Sequence, residues 1–134
     1  MQIPGIYAPT LWAMGSAGAL LLLQLIVADL VAIRSGHRAG TPIPPDFNKF
    51  LFRAARAHAN TNESIAAFTL FAIAGILSGA SPAWLNALAW AYLACRLAHM
   101  ASYYANKKAA RSTAFGISLL VLLGMFAANL IAWM

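Results

Sequence analysis

Two long stretches of the sequence carry no charged side chain, and they constrain the fold more than any other feature. Residues 1–28 contain no charge, and neither do residues 112–134. A helix needs about 20 predominantly apolar residues to cross the hydrocarbon core of a bilayer. Each stretch is long enough for one crossing. The sequence therefore predicts a membrane protein with one spanning helix near each end of the chain.

The composition of the whole chain agrees with a membrane location. Only 9% of the 134 residues are charged and 62% are hydrophobic, whereas soluble domains average roughly 25% charged residues. Nine basic residues outnumber three acidic ones, for a net charge of +6. In a membrane protein this surplus is explained by the positive-inside rule, so no nucleic-acid partner is expected. A single cysteine, Cys95, excludes an internal disulfide.

Loop and turn signals divide the middle of the chain into two further helices. Glycines and prolines mark a loop at residues 35–47, a tight turn covers residues 78–82, and a short basic loop covers residues 106–110. The uncharged stretch 64–77 is too short to span alone, so the second helix must include its charged first half. The predicted fold is a single all-α domain, residues 1–134, a four-transmembrane-helix bundle with helices at about 8–34, 48–78, 82–105 and 111–133.

The distribution of basic residues predicts the topology. The first and third loops contain the bases, while the 78–82 turn and both termini contain none. The two basic loops are therefore predicted to be cytoplasmic, and both termini periplasmic if the membrane is a bacterial inner membrane. Four aromatic residues fall near the opposite side, as an interfacial belt would place them: Tyr7, Trp12, Trp84 and Trp133.

Gly75 and Gly79 form a small-xxx-small pair near the end of the second helix. Such pairs let two membrane helices approach closely. The same two residues are equally well explained as small residues close to a tight turn. The sequence leaves both interpretations open.

A polar stripe follows one face of the second helix. Arg53, Arg56, Asn60 and Glu63 are spaced 3, 4 and 3 residues apart, which places them on one side of a helix. A charge at the bilayer centre costs roughly 2.5–3.5 kcal/mol on insertion scales. The stripe is therefore predicted to face protein or a water-filled cavity. Glu63 alone admits a second interpretation, as a structural partner for an arginine.

A second polar stripe lies on the third helix. Arg96, His99 and Tyr103 are spaced 3 and 4 residues apart, and Arg111 and Ser112 open the fourth helix at the same side of the membrane. The two stripes hold more positive than negative charge. Because arginine binds carboxylates in bidentate geometry, a cavity between the stripes is suited to an anion.

Several other ionisable residues receive plainer interpretations. Lys107 and Lys108, like Arg38 and Lys49, are interpreted as topology determinants. His58 lies one residue off the polar face and is expected to make a structural hydrogen bond. No metal site is predicted, because the histidines lack cysteine or carboxylate neighbours at ligand spacing.

Two motifs resemble those of the MAPEG family, the membrane-associated proteins in eicosanoid and glutathione metabolism. Residues 56–63, Arg-Ala-His-Ala-Asn-Thr-Asn-Glu, resemble the family's R-A-H-x-N-x-x-E signature. Residues 96–103, Arg-Leu-Ala-His-Met-Ala-Ser-Tyr, followed by Arg111 and Ser112, resemble its third- and fourth-helix motif. The resemblance runs from about Phe47 to Ile117.

The resemblance implies a homotrimer of four-helix subunits in the lipid membrane, with glutathione as co-substrate bound between neighbours at the cytoplasmic side. It implies that Arg111 stabilises the glutathione thiolate. Arg34 is similar in place to a glutathione-contacting arginine, although the loop after it differs in length. The implied glutathione-binding residues are Arg34, Arg53, Arg56, Asn60, Glu63, His99, Tyr103 and Ser112; the roles of His58 and Arg96 stay open.

Departures from the family pattern bear on the substrate. Ala59 and Phe115 stand where the prostaglandin synthase branch has an arginine and a tyrosine, and the Tyr103–Arg111 spacing is one residue shorter. The short chain is more similar to bacterial members. The expected function is a glutathione transferase or peroxidase that acts on a lipophilic electrophile or hydroperoxide. The alternatives are a non-catalytic lipid-binding member and a four-helix drug exporter, which is disfavoured because the first helix has no acid before Asp29.

Overall fold

The computed structural model describes residues 5–134, and in this range every regular element is helical. A short 3-10 helix, Gly5–Tyr7, leads into the first of four α-helices. Short links join the last three helices to one another, whereas a loop of residues 35–49 separates the first two. The α-helices are α1 (Ala8–Arg34), α2 (Phe50–Ser78), α3 (Pro82–Tyr104) and α4 (Lys108–Trp133).

Three of the four helices are long and apolar enough to cross a membrane: α1 together with the 3-10 helix, α2, and α4. Helix α3 is more polar, but the short links before and after it make it antiparallel to both neighbours. Its 23 residues extend for roughly 35 Å, more than the hydrocarbon thickness of about 30 Å. The chain is an integral membrane protein with a four-helix bundle.

Helices α2 and α3 each pack against all three other helices and together form the centre of the bundle. The ring of Phe68 on α2 stacks on that of Tyr92 on α3, with 4.2 Å between their centroids. Alanines such as Ala72 and Ala89 are fully buried at the helix contacts. Small residues bring membrane helices close together, where van der Waals packing replaces the missing hydrophobic driving force.

Neutral hydrogen bonds connect the helices at the end that holds both termini. The Tyr7 hydroxyl donates to the Ala80 carbonyl at 2.6 Å, and the Thr10 hydroxyl donates to Asn86 Oδ1 at 2.7 Å. Tyr7 is thus buried, and its interpretation as an interfacial belt residue is wrong. Trp12, Trp84 and Trp133 are largely exposed, as residues of an aromatic belt must be.

The two glycines near the end of α2, Gly75 and Gly79, have different roles in the structure. Gly79 adopts the left-handed φ of 72° that ends α2. Gly75 instead lies inside α2 against two other helices: a Cβ built on it would be 2.6 Å from Asn129 Oδ1 and 2.9 Å from a methyl group of Leu85. Gly75 therefore serves helix packing, and Gly79 serves the turn.

Replacement of Gly75 by alanine is expected to destabilise the bundle. Asn129 is held in place because its Nδ2 donates to the Phe71 carbonyl at 2.9 Å, and Leu85 is fully buried. Overpacking of this kind costs about 1–3 kcal/mol. The matched control is Gly18→Ala on α1, where an added Cβ meets nothing within 4 Å. Thermal unfolding in detergent should show a lower midpoint for Gly75→Ala only, and equal midpoints would contradict the packing role of Gly75.

Candidate functional site

Residues of α2, α3 and α4 line an open cavity of about 300 Å³ at the end of the bundle that carries the basic loops. None of its lining residues is acidic, and five of them belong to the predicted site. The lining therefore offers hydrogen-bond donors and positive charge to a bound molecule. The lining residues are Asn60, His99, Tyr103, Lys108, Arg111, Ser112 and Phe115.

Aromatic rings hold the side chain of Arg111. Its guanidinium carbon lies 4.3 Å from the ring centroid of Phe47 and 4.7 Å from that of Tyr103. A cation over an aromatic face is stabilised by the ring quadrupole, most strongly when water is excluded. The buried Nη1 of Arg111 has no hydrogen-bond partner within residues 5–134. Within the described residues the guanidinium is thus oriented without a carboxylate, and its donors are not used by other protein groups.

Phe47 is a residue of this site that sequence reasoning did not find. It lies in the loop before α2, and its ring is 6.5 Å from that of Tyr103 and nearly parallel to it. Arg53 secures the end of that loop, because its Nη1 donates to the carbonyls of Phe47 at 2.6 Å and of Asn48 at 3.1 Å. No residue spacing relates this loop to α3 and α4, so only the tertiary structure identifies Phe47.

His99 and Phe115 form the inner and outer walls of the cavity. His99 is 2% exposed, and its ring meets Tyr103 edge-on with 4.9 Å between centroids. Its Nδ1 has no partner in the described part of the chain. Phe115 is partly exposed, and its centroid lies 6.4 Å from that of His99. The cavity thus combines a polar interior with an apolar side.

Arg96 is completely buried beneath the cavity wall. Its Nη1 donates to Asn60 Oδ1 at 2.8 Å, and its Nη2 donates to the hydroxyl of Ser118. Because arginine is only a donor, the amide oxygen of Asn60 must face it. Asn60 is left with its Nδ2 for the cavity. No carboxylate pairs with Arg96 within residues 5–134, so its positive charge also adds to the potential near the site.

Arg56 and Glu63 lie on the same face of α2 as Asn60 but do not line the cavity. Arg56 Nη1 is 3.9 Å from Glu63 Oε1, and the two side chains are 42% and 60% exposed in the single chain. Exposure of this pair to lipid would be costly. This face of α2 therefore needs cover from protein or from a water-filled space.

The structure does not bring Arg34 or Arg53 to the cavity. Arg34 is exposed at the end of α1. Arg53 instead donates to loop carbonyls, those of Phe47 and Asn48. The buried Nδ1 of His58 has no partner in residues 5–134, so this atom does not make the structural hydrogen bond expected of His58. In the same range no cluster of three or more His, Cys, Asp or Glu residues could hold a metal ion.

Comparison with known proteins identifies one relationship. The family model of the MAPEG family matches residues 9–131, nearly the whole chain. This match confirms the resemblance stated from the motifs of α2, α3 and α4. Among curated proteins, none matches the chain.

The bond between Ser118 and Arg96 is expected to contribute to stability. In Ser118→Ala the buried guanidinium loses one of its acceptors, and hydrogen bonds to charged groups are worth about 1.5–3 kcal/mol. The matched control is Ser112→Ala on the same helix, where the exposed hydroxyl donates only to the Lys108 carbonyl at 3.3 Å. Thermal unfolding in detergent should therefore show a lower midpoint for Ser118→Ala alone. Equal midpoints in the two variants would contradict this account of Arg96.

Proposed function

This chain belongs to the MAPEG family, and we propose that it is a membrane-bound glutathione-dependent transferase or peroxidase. Family membership supports glutathione- or eicosanoid-related activity in a membrane. The observation that carries the finer assignment is Arg111, held between Phe47 and Tyr103 in a cavity with no acidic lining residue. Such a cavity suits the carboxylates and the thiolate of glutathione, because charge-assisted bonds to arginine are the strong ones.

In this proposal, the residues that line the cavity bind the tripeptide. The Nδ2 of Asn60 and the side chains of His99, Tyr103 and Ser112 supply hydrogen bonds. Arg56 and Glu63, on the same face of α2, bind a carboxylate and the α-amino group of glutathione. Arg56 is positive and Glu63 is negative, and their ion pair keeps the two side chains close together before glutathione binds.

The proposed chemical step is attack by a glutathione thiolate that Arg111 stabilises. A free thiol has a pKa of about 8.5, so little thiolate is present at pH 7. To lower this pKa to about 7 requires roughly 2 kcal/mol, which one close arginine can supply. The thiolate then displaces a leaving group from an electrophilic carbon. With a hydroperoxide it forms a sulfenic acid and an alcohol, and a second glutathione yields the disulfide and water.

The second substrate is proposed to be lipophilic and to enter from the bilayer. Phe115 gives the cavity an apolar side, and the helices around it cross the membrane. A substrate dissolved in lipid can approach the thiolate along this side without passing through water. A polar substrate would gain nothing from Phe115.

We propose that the protein is a homotrimer in which a neighbouring subunit covers the open side of the site. The partly exposed Arg56–Glu63 pair supports this, because lipid would penalise it. Arg34 and Arg53, which do not reach the cavity of their own chain, then contact glutathione bound by a neighbouring subunit. In this proposal the site faces the cytoplasm at a bacterial inner membrane and both termini are periplasmic; the basic residues of the first and third loops support this orientation.

Arg111→Ala is expected to slow glutathione conjugation of an aryl halide by about tenfold or more at pH 7, because less thiolate forms. The deficit should shrink as the pH rises above about 8.5, where the free thiol ionises without help. Lys107→Ala is the matched control, since it removes an exposed cation outside the cavity. If Arg111→Ala kept the wild-type rate and pH profile, Arg111 would not be the thiolate-stabilising residue.

Glutathione is expected to raise the thermal unfolding midpoint of the purified protein in detergent. A ligand at 100 times its Kd stabilises the native state by about 2.7 kcal/mol. The Lys107→Ala control should respond like the wild type, and Arg56→Gln should respond less. If calorimetry detected no glutathione binding but did detect lipid binding, the protein would be a non-catalytic lipid-binding member of the family.

A further inference from the structure

A second cavity, of about 690 Å³, lies between the end of α1, the start of α2 and the loop that joins them. It shares no lining residue with the candidate site. Its nitrogen-bearing side chains come from His37, Arg38 and Lys49. The other walls are mainly apolar. They include Val31, Pro42, Ile43, Pro44, Phe50, Leu51 and Phe52.

The loop wall of this cavity is shaped by its own hydrogen bonds. The Thr41 hydroxyl donates to the Arg38 carbonyl at 2.7 Å, and His37 Nε2 lies 3.1 Å from the Thr41 carbonyl oxygen. Gly36 and Gly40 adopt left-handed φ values of 66° and 77°, which glycine reaches without strain. Because His37 Nε2 already contacts the Thr41 carbonyl, the ring of His37 serves the loop and not a ligand. Within residues 5–134 the charged groups of Arg38 and Lys49 form no hydrogen bond or ion pair.

The position of the cavity determines what surrounds it. Helix α1 ends at Arg34 and α2 begins at Phe50, so the cavity lies where the spanning segments reach the headgroup layer. Its cations come from the loop side, and the apolar residues of α1 and α2 form the side that continues into the membrane. A ligand that satisfies both sides must carry an anionic group and a hydrocarbon chain.

We propose that this cavity binds one anionic phospholipid of the surrounding leaflet. Arg38 and Lys49 bind its phosphate, and an acyl chain lies along Val31 and Phe52. Basic pockets between spanning helices on the cytoplasmic side are suited to such headgroups. A free phosphate would leave the apolar wall unfilled, and a zwitterionic lipid would bring a further cation close to Arg38 and Lys49. Arg38 and Lys49 would thus act as lipid ligands as well as topology determinants.

Native mass spectrometry of the full chain in detergent can test this site. Phosphatidylglycerol and phosphatidylcholine with identical acyl chains are the two probes, which share the phosphate but differ in net charge because choline carries a cation. The wild type should retain phosphatidylglycerol preferentially, and R38Q/K49Q should lose that preference by about tenfold or more. K107Q/K108Q removes the same charge outside this cavity, at Lys107 and at the first residue of α4, and should keep the preference. Equal preference in R38Q/K49Q and the wild type would overturn the proposal.

A second variant separates the cavity from the charge. Ile43→Trp keeps every cation but fills the apolar part, so it should reduce retention of phosphatidylglycerol. Unchanged retention would overturn the assignment of the acyl chain. Glycerol 3-phosphate that displaced the lipid at similar concentration would show that only a phosphate is bound. A changed subunit number in R38Q/K49Q, with unchanged lipid binding, would show that a second copy covers the cavity instead.

Discussion

The buried guanidinium of Arg96 is the group on which the rest of the bundle depends. It lies on α3 and donates to Asn60 on α2 and to Ser118 on α4, so one side chain fixes three helices relative to each other. A positive charge inside a bilayer is tolerated only when protein surrounds it and supplies acceptors. Any shift of α2 or α4 along α3 would remove an acceptor and expose the charge. The register of the three helices follows from that requirement, and so does the place of Asn60 at the cavity.

The same constraint explains why the two ends of the bundle differ. Near the termini the helices are joined by neutral groups, such as the Tyr7 hydroxyl on the Ala80 carbonyl and the Thr10 hydroxyl on Asn86. At the other end the bonds and contacts involve arginines. Neutral bonds suffice where only packing must be maintained. Positive charge instead collects at the end that holds the basic loops and the candidate site.

Electrostatics and aromatic packing together give the candidate site its character. Arg111 is oriented by the rings of Phe47 and Tyr103 instead of by an acid, so its charge is not neutralised before a ligand arrives. A salt bridge in the same place would hold the side chain as firmly but would compete with the ligand. The second cavity follows the same pattern with Arg38 and Lys49. In both cavities, cations that form no ion pair within residues 5–134 lie beside apolar side chains.

The sequence by itself determined the four helices, because lipid requires long apolar stretches and the loops carry glycine, proline and basic residues. It also determined which polar residues share a helix face, since helical periodicity fixes that from spacing alone, and its motifs led to the family. Spacing could not show that Phe47 packs on Arg111, that Ser118 accepts from Arg96, or that Arg53 secures a loop. Those contacts join separate elements. They were decided only by the tertiary structure, because the packing of helices and loop sets distances that residue spacing does not contain.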